Sequence, residues 1–337
     1  MRSRSRPWRP RQAHAVALAL SLAGFLAAAN GFAGRFTVTA LPVALEPGNP
    51  GVTRVGRLAF LSGFELSSDH GRFGGLSGLS VSRDGTRLRA VSDRGYWVAA
   101  ALTHDHEDRL TALDSWRDAP LLTPAGERTG LYEHDAEGLA RDSSGSFLVS
   151  FEGKHRIWRY PAGLSASPKP VATPRDLRRA PVNGGLEGIT VLSDGALLGI
   201  TEKQANRDGS LKGWFMKARS AREFAYVPAD GYSPTGVAAA PGGDVLLLER
   251  SFDLLRMRVR IVRLPEERLR EARRKPGTRV RGEVMADLQR PLSVDNFEGL
   301  ALRRDHAGRL LLYVVSDNNF LPLQRTLLLQ FRVIDDS

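Results

Sequence analysis

Short apolar runs recur along the chain behind the same polar punctuation, and they do so five times. Each return opens with a glycine beside an aliphatic or small residue. It passes through a polar turn and closes with an apolar run that stops near an acid. The segments are 75–95 (GLSGLSVSRDGTRLRAVSDRG), 135–153 (DAEGLARDSSGSFLVSFEG), 185–203 (GLEGITVLSDGALLGITEK), 234–250 (PTGVAAAPGGDVLLLER) and 296–318 (NFEGLALRRDHAGRLLLYVVSDN). Glycine accepts the positive φ of tight turns, and Asp or Ser bonds to nearby backbone. Arg83-Asp84-Gly85, Ser193-Asp194-Gly195 and their counterparts therefore predict chain reversals. The flanking runs, such as LRAVS and FLVSF, have strand composition. Each segment predicts an antiparallel hairpin.

The leading glycines Gly78, Gly138, Gly188, Gly236 and Gly299 are 60, 50, 48 and 63 residues apart. A hairpin returning at that period, with one or two strands in between, matches a four-stranded propeller blade. A blade cannot bury both its faces alone, so neighbours stack and close a ring. The apolar stretches 55–66 and 326–333 are left over by this count. Together they predict a further blade that closes the ring with strands from both chain ends. The fold class expected is all-β, a β-propeller of six blades, with five as the alternative; a β-sandwich would not explain five similarly built hairpins. Two stretches depart from the repeat. Residues 102–133 read as a polar insertion containing His104, Asp105, His106, Glu107 and Asp108, and 264–275 (LPEERLREARRK) reads as a short helix with a solvated basic face.

The formal charge of +11 divides unevenly. Residues 1–33 hold five arginines and no acid; the rest, with 43 basic and 37 acidic residues, carries only +6. So small an excess does not indicate a nucleic-acid partner. The N-terminal arginines precede an uncharged apolar stretch, 15–29, and small residues that suit a cleavage site. This is the form of an export signal, with a retained anchor as alternative. The stretch is short for a membrane crossing, which needs about 20 residues. The expected organisation is an export signal over 1–33, a lead-in over 34–55 and the propeller over 56–333. The mature protein is expected in the periplasm or secreted, without stable membrane insertion. It is expected to be a monomer, because a closed ring offers no sheet edge for pairing. The chain has no cysteine, which excludes thiolate nucleophiles, iron–sulfur clusters and cysteine-ligated zinc.

The hairpins also predict where the acids gather. Glu137 and Glu152 are equally far from their turn, as are Glu187 and Glu202, and Glu298 and Asp317. An antiparallel return sets such residues side by side, about 4.5–5.5 Å apart. Asp93 and Glu249 end the corresponding strands of the other two segments. Ring closure would bring these pairs to one rim of a central channel. Carboxylates crowded there repel one another unless a cation compensates them. Calcium suits such a set, because it accepts many oxygens at flexible geometry. The candidate metal ligands are Glu137, Glu152, Glu187, Glu202, Glu298 and Asp317. Basic residues stand at the same strand ends: Arg94, Lys154 with His155, Lys203 and Arg250. With a cation, Lys203 and Arg250 would hold a phosphate. The alternative is plainer: each acid accepts backbone N–H groups, each base neutralises its neighbour, and each glycine serves close packing. His104-Asp105-His106-Glu107 lacks the spacing of a helix-borne zinc site. His134 beside Asp135 is a weaker candidate base. There is no G-x-S-x-G elbow, no phosphate-binding glycine loop and no dinucleotide fingerprint.

The segments HDAEGLARDSSGSFLVSFEG, NGGLEGITVLSDGALLGITEK and DNFEGLALRRDHAGRLLLYVVSDNN resemble the phytase-like domain family, described as having esterase-like activity. The resemblance spans roughly residues 56–333. It implies an exported propeller related to calcium-dependent phytases, which bind phosphate in a calcium-filled channel and direct water at phosphorus. The function expected is a metal-dependent hydrolase of a phosphoric ester, with calcium as the metal and a small anionic or phosphorylated molecule as the substrate. In that reading Glu187, Glu298, Lys203 and Arg250 are the catalytic candidates. Hydrolysis of a carboxylic ester or lactone on the same scaffold is one alternative; a non-catalytic binding propeller of the cell envelope is the other.

Overall fold

The computed structural model describes residues 33–130, 133–161, 163–253 and 256–334. The export segment expected before them lies outside the described residues. Each of the five predicted hairpins forms the inner part of one sheet, and there are five sheets among the described residues. Their innermost strands are Leu76–Val81, Ala136–Arg141, Leu186–Val191, Ser233–Ala239 and Phe297–Arg304. From these, each sheet runs outward through antiparallel neighbours.

The apolar core decides the blade count. It falls into five clusters, each filled from the facing sides of two successive sheets. Leu139 and Phe147 of the second blade pack with Val91 and Trp97 of the first. Leu148 meets Leu186 and Ile189 of the third, and Ile200 meets Val237 and Leu247 of the fourth. Leu246 meets Leu300 and Phe297 of the fifth, and Tyr313 and Val315 meet Leu76 and Leu79 of the first. Five interfaces among five blades leave no gap. Because strands are covered on both faces, a run such as Phe147–Phe151 is buried at every position, and this is why the repeats read as continuous apolar stretches.

The ring therefore has five blades rather than six. The leftover terminal strands do join each other, Thr326–Val333 with Leu58–Ser67. They do so inside the fifth sheet, where Thr326–Val333 also pairs with Leu310–Ser316. The physical reason is the pairing: Leu58–Ser67 bonds to Thr326–Val333, which already bonds to the hairpin of the fifth sheet, so it takes the fourth place there and makes no sheet of its own. The expected lead-in is also part of the sheets: Gly34–Arg35 extends the first blade and Thr39–Pro42 the fifth.

Residues 102–133 are likewise more ordered than a polar insertion. Tyr96–His104 and Leu110–Pro120 are the outer strands of the first blade, and 105–109 is the turn between them. The expected helix is present as Glu266–Arg274, with Leu269 and Ala272 buried. Its Arg273 is bonded to Asp194 at 2.7 and 3.1 Å, so that face is partly paired rather than merely solvated. Among the described residues no helix is long and apolar enough to cross a membrane.

Candidate active site

All five innermost strands carry a β-bulge at the residue before the repeat glycine. In the third blade Gly188 pairs with Ile200 and Leu186 with Thr201, which leaves Glu187 as an extra residue. Thr235 and Glu298 stand out in the same way in the fourth and fifth blades. In the second, Glu137 and Gly138 face the single residue Ser150; in the first, Ser77 and Gly78 face Val91. A bulge turns a side chain out of its regular alternation and is common beside active sites.

The glycines explain how these bulges meet. A Cβ on Gly138 would lie 3.0 Å from the Glu187 carbonyl oxygen, and one on Gly236 would lie 2.3 Å from that of Glu298. A Cβ on Gly299 would approach the Ser77 carbonyl at 2.7 Å, and one on Gly78 the Glu137 carbonyl at 2.9 Å. Four of the five glycines thus admit the next blade's bulge, Gly188 admits Val237 of the fourth blade, and the series closes on itself. The channel wall thus gains Glu137, Glu187 and Glu298 beside Gly138, Gly188, Gly236 and Leu300 around one narrow pocket with ≈ 10 Å³ of free volume.

The bulges also correct the expected pairings. Glu137 does not face Glu152, Glu187 does not face Glu202, and Glu298 does not face Asp317. Below each bulge the register has moved by one residue, and the partner of each strand-end acid stands two residues before the bulged acid. The Glu152 N–H donates to the Asp135 carbonyl, that of Glu202 to Gly185 and that of Asp317 to Asn296. The acids consequently form two layers. The bulge layer holds Glu137, Glu187 and Glu298; the strand-end layer holds Asp93, Glu152, Glu202 and Asp317, with Arg250 at the fourth blade's equivalent position. Asp135 joins them: oxygens of Asp135, Glu137 and Glu152 lie within 4.8 Å of one another.

One arginine ties the layers together. Arg250 donates to Glu298 at 2.5 Å and to Glu202 at 3.2 Å, and it also meets Asn296. Asn296 donates in turn to Glu298 at 3.0 Å. Lys203 sits farther out, its side chain 52% exposed, 2.5 Å from Glu202. Glu152 accepts the N–H groups of Gly184 and Gly185 at 2.7 and 2.5 Å.

Eight carboxyl groups are not balanced by these two cations. Burial, then the charges of Glu187, Glu298 and Asp135, lifts the Glu137 carboxyl well above its ordinary range. Burial, then Glu152, Glu202 and Glu298, does the same to Glu187. Asp93 is pushed up to about 6 by burial and the nearby Asp135, and Asp317 to about 8 by burial and Glu298. Glu298 rises through burial despite Arg250. A side-chain hydrogen bond with Glu152 also raises Glu187, and one with Asp135 raises Glu137. Such contacts exist only with a shared proton or a cation between the groups. The oxygen-only donor set suits a hard divalent cation such as calcium.

Some predicted residues lie elsewhere. Glu249 turns away from the channel and accepts from the Tyr226 hydroxyl at 2.6 Å, because strand alternation gives the channel to Arg250 instead. At the opposite, turn-bearing end, the segment read as a polar loop belongs to a buried network. Arg303 donates to Asp108 at 3.1 Å and to the Tyr313 hydroxyl at 3.0 Å. His104 and Gln330 meet the same hydroxyl at 3.0 and 2.8 Å, and His306 meets Asp108 at 2.9 Å. Asp135 was missed as a site residue; its signal is a place two residues before the bulged Glu137, opposite Glu152.

Comparison with known proteins gives the family. A family model described as "Phytase-like: Esterase-like activity of phytase" matches residues 71–320. No curated protein matches the sequence. Solved structures resemble the chain at low identity. They include the catalytic domain of a Coprinopsis cinerea GH62 α-L-arabinofuranosidase (14% identity, TM-score 0.47, covering 82% of this chain and 97% of that one). A candidate gluconolactonase aligns at 13% identity and TM-score 0.44, over 90% and 96% of the two chains. The PQQ-bound aldose sugar dehydrogenase of Streptomyces coelicolor aligns at 13% and 0.42, over 88% and 98%.

Proposed function

The chain belongs to the phytase-like family, and from that premise we propose that it is a calcium-dependent hydrolase of a phosphoric ester, working at the acidic mouth of its channel. The observation that carries this reading is the convergence of Glu137, Glu187 and Glu298 from three blades on one pocket. Asp135, Glu137 and Glu152 are the first candidates to hold the ion, with Glu187, Glu202, Glu298 and Asp317 completing the set. When bound, calcium supplies the positive charge that polarises a phosphoryl oxygen and makes water more acidic.

The chain's own residues supply the rest. Arg250 bonds to both Glu298 and Glu202 and fixes their direction. Lys203, exposed at the rim, neutralises charge on an incoming anion. Asp93, with a pKa near 6, lies in the range suited to receive a proton from water at neutral pH. The buried bulge layer excludes bulk water from the reacting face. We place the mature protein outside the cytoplasm as a monomer, on the basis of the export-type N-terminus and the closed ring.

Purified protein is expected to hydrolyse p-nitrophenyl phosphate in calcium and to lose that activity in chelator. Inertness under both conditions would sink the phosphatase reading. The family's "esterase-like" description favours one second reading, hydrolysis of a carboxylic ester or lactone. A panel of p-nitrophenyl acetate, a γ-lactone and p-nitrophenyl phosphate separates the two. Calcium-dependent binding without turnover of any of them would instead indicate a binding propeller.

A further inference from the structure

At the channel mouth the loop 317–325 of the fifth blade crosses onto the first. Asn318 accepts the Gly75 N–H at 3.1 Å, and Asp317 accepts that of Asn319 at 2.6 Å. Two consecutive non-glycine residues, Asn319 and Phe320, hold φ of 46° and 52°. Asn enters that region with some ease, but a bulky aromatic residue rarely does. Strain of this kind concentrates where a ligand is gripped.

What the strain positions is specific. The Phe320 ring lies against Gly74 and Gly75, where an added Cβ would come within 2.9 and 2.7 Å of it. The Arg94 guanidinium stacks on the same ring, 3.2 Å from its centroid. Arg94 follows Asp93 directly, is exposed, and makes no ion pair among the described residues. Stacking occupies the guanidinium's face and leaves its N–H edge for an anion. Beyond the ring, Leu321 and Leu323 are 53% and 96% exposed. Val182 and Phe252, also exposed, lie on segments adjoining the same end of the inner hairpins. Four of the six large exposed apolar residues thus sit at the mouth, whereas single exposed leucines elsewhere would need no explanation.

We propose that loop 317–325 and Arg94 form a substrate lip that selects anionic esters carrying an aromatic or bulky apolar group. Arg94 takes the anionic end by its edge, while Phe320, Leu321 and Leu323 cover the apolar group. This rests on the acidic mouth being the reacting site and adds the class of molecule it prefers.

Titration calorimetry of the full chain in calcium, with phenylphosphonate against methylphosphonate, tests the lip without turnover. Wild type should bind the phenyl compound at least tenfold more tightly. Phe320→Asn suits the left-handed backbone, so it should keep or raise Tm while cutting that preference about threefold or more. Leu323→Ser, at a position with almost no packing, should cut it similarly and leave methylphosphonate binding unchanged. Equal affinity for the two ligands, binding of neither, or a preference untouched by both variants would overturn the proposal. The hydrolase reading fails separately: a retained phenyl preference with no ester turned over removes catalysis but leaves the lip. Turnover of small esters with no phenyl preference removes the lip alone.

Discussion

At the turn-bearing end of the ring, Asp108 of the first blade and Arg303 of the fifth are buried together. Hydrogen bonds from His306 and Arg303 outweigh the opposing effect of burial and pull Asp108 down to about 2. At the mouth, the carboxyl groups of Glu137, Glu187, Asp93 and Asp317 are instead pushed up by burial and by one another. Both clusters join residues far apart in sequence, and both remove charge from water. One is closed: the Arg303 fork, the Tyr313 hydroxyl and the Gln330 amide all find partners within the chain. The other is open, with more acid than its own bases can balance. A satisfied buried network fastens the first blade to the last. An unsatisfied one is more costly than an apolar core and persists where a partner arrives from outside.

The strongest way to break this contrast is to open the closed end. Arg303→Met leaves Asp108 buried without its guanidinium, and the expected loss is about 3–5 kcal/mol in urea unfolding. A loss below about 1 kcal/mol would mean that the Asp108 network does not fasten the ring.

The open end should respond to pH in the opposite sense from an ordinary ion pair. Asp93 and Asp317 have folded-state pKa values above those of an unfolded chain. Their protonation therefore stabilises the fold fully below about pH 4, and that contribution is lost as pH rises through about 6 and then about 8. In chelator, Asp93 alone should lower stability by on the order of 3 kcal/mol between pH 4 and pH 8, at about 1.4 kcal/mol per pKa unit, and Asp317 should add to the same fall. That corresponds to a Tm lower by about 10 °C. Calcium should restore it, and more at pH 8 than at pH 5. A flat profile of Tm against pH in chelator would show that the acids are already compensated.

Glu187→Gln sharpens the same point with a smaller effect. Glutamine mimics the protonated carboxyl, so the chelated variant should be about 1 kcal/mol more stable than wild type at pH 8 and equal to it at pH 4. The calcium-induced rise in Tm should largely disappear. Destabilisation at both pH values would mark Glu187 as a structural acceptor.

Much of this was legible in the sequence because its signals were local. Turn glycines, strand composition and a period near 55 residues predict hairpins in a ring, and the acid before three of the five repeat glycines points at the channel. What was not legible depended on pairings that local pattern does not encode. A bulge adds one residue to one strand, so counting equal steps from the turn misplaces Glu137 against Glu152. The same counting placed Glu249 at the mouth, although alternation gives that direction to Arg250. The blade number depended on whether two leftover strands form their own sheet or complete another's. Asp108 and Arg303 are 195 residues apart, and nothing near either residue announces the other.

Lys203 gives the finest division of the open end, because it stands where the cluster meets water. Its amino group is 2.5 Å from Glu202, yet the side chain is half exposed, so solvent and salt screen the pair. Such pairs contribute about 0–1 kcal/mol. Its stem packs over Gly184, where an added Cβ would lie 2.6 Å from the lysine Cβ, and methionine preserves that contact. Lys203→Met should therefore change unfolding free energy by less than about 0.5 kcal/mol. If Lys203 neutralises an incoming anion, the same variant should lower kcat/KM for a phosphoric ester by about tenfold, since a charge-assisted contact of about 1.5 kcal/mol is lost. Added salt should then weaken the wild type more than the variant. Unchanged kcat/KM with unchanged stability would leave Lys203 as a neutralising neighbour of Glu202, with the anion met by Arg94 and the cation alone.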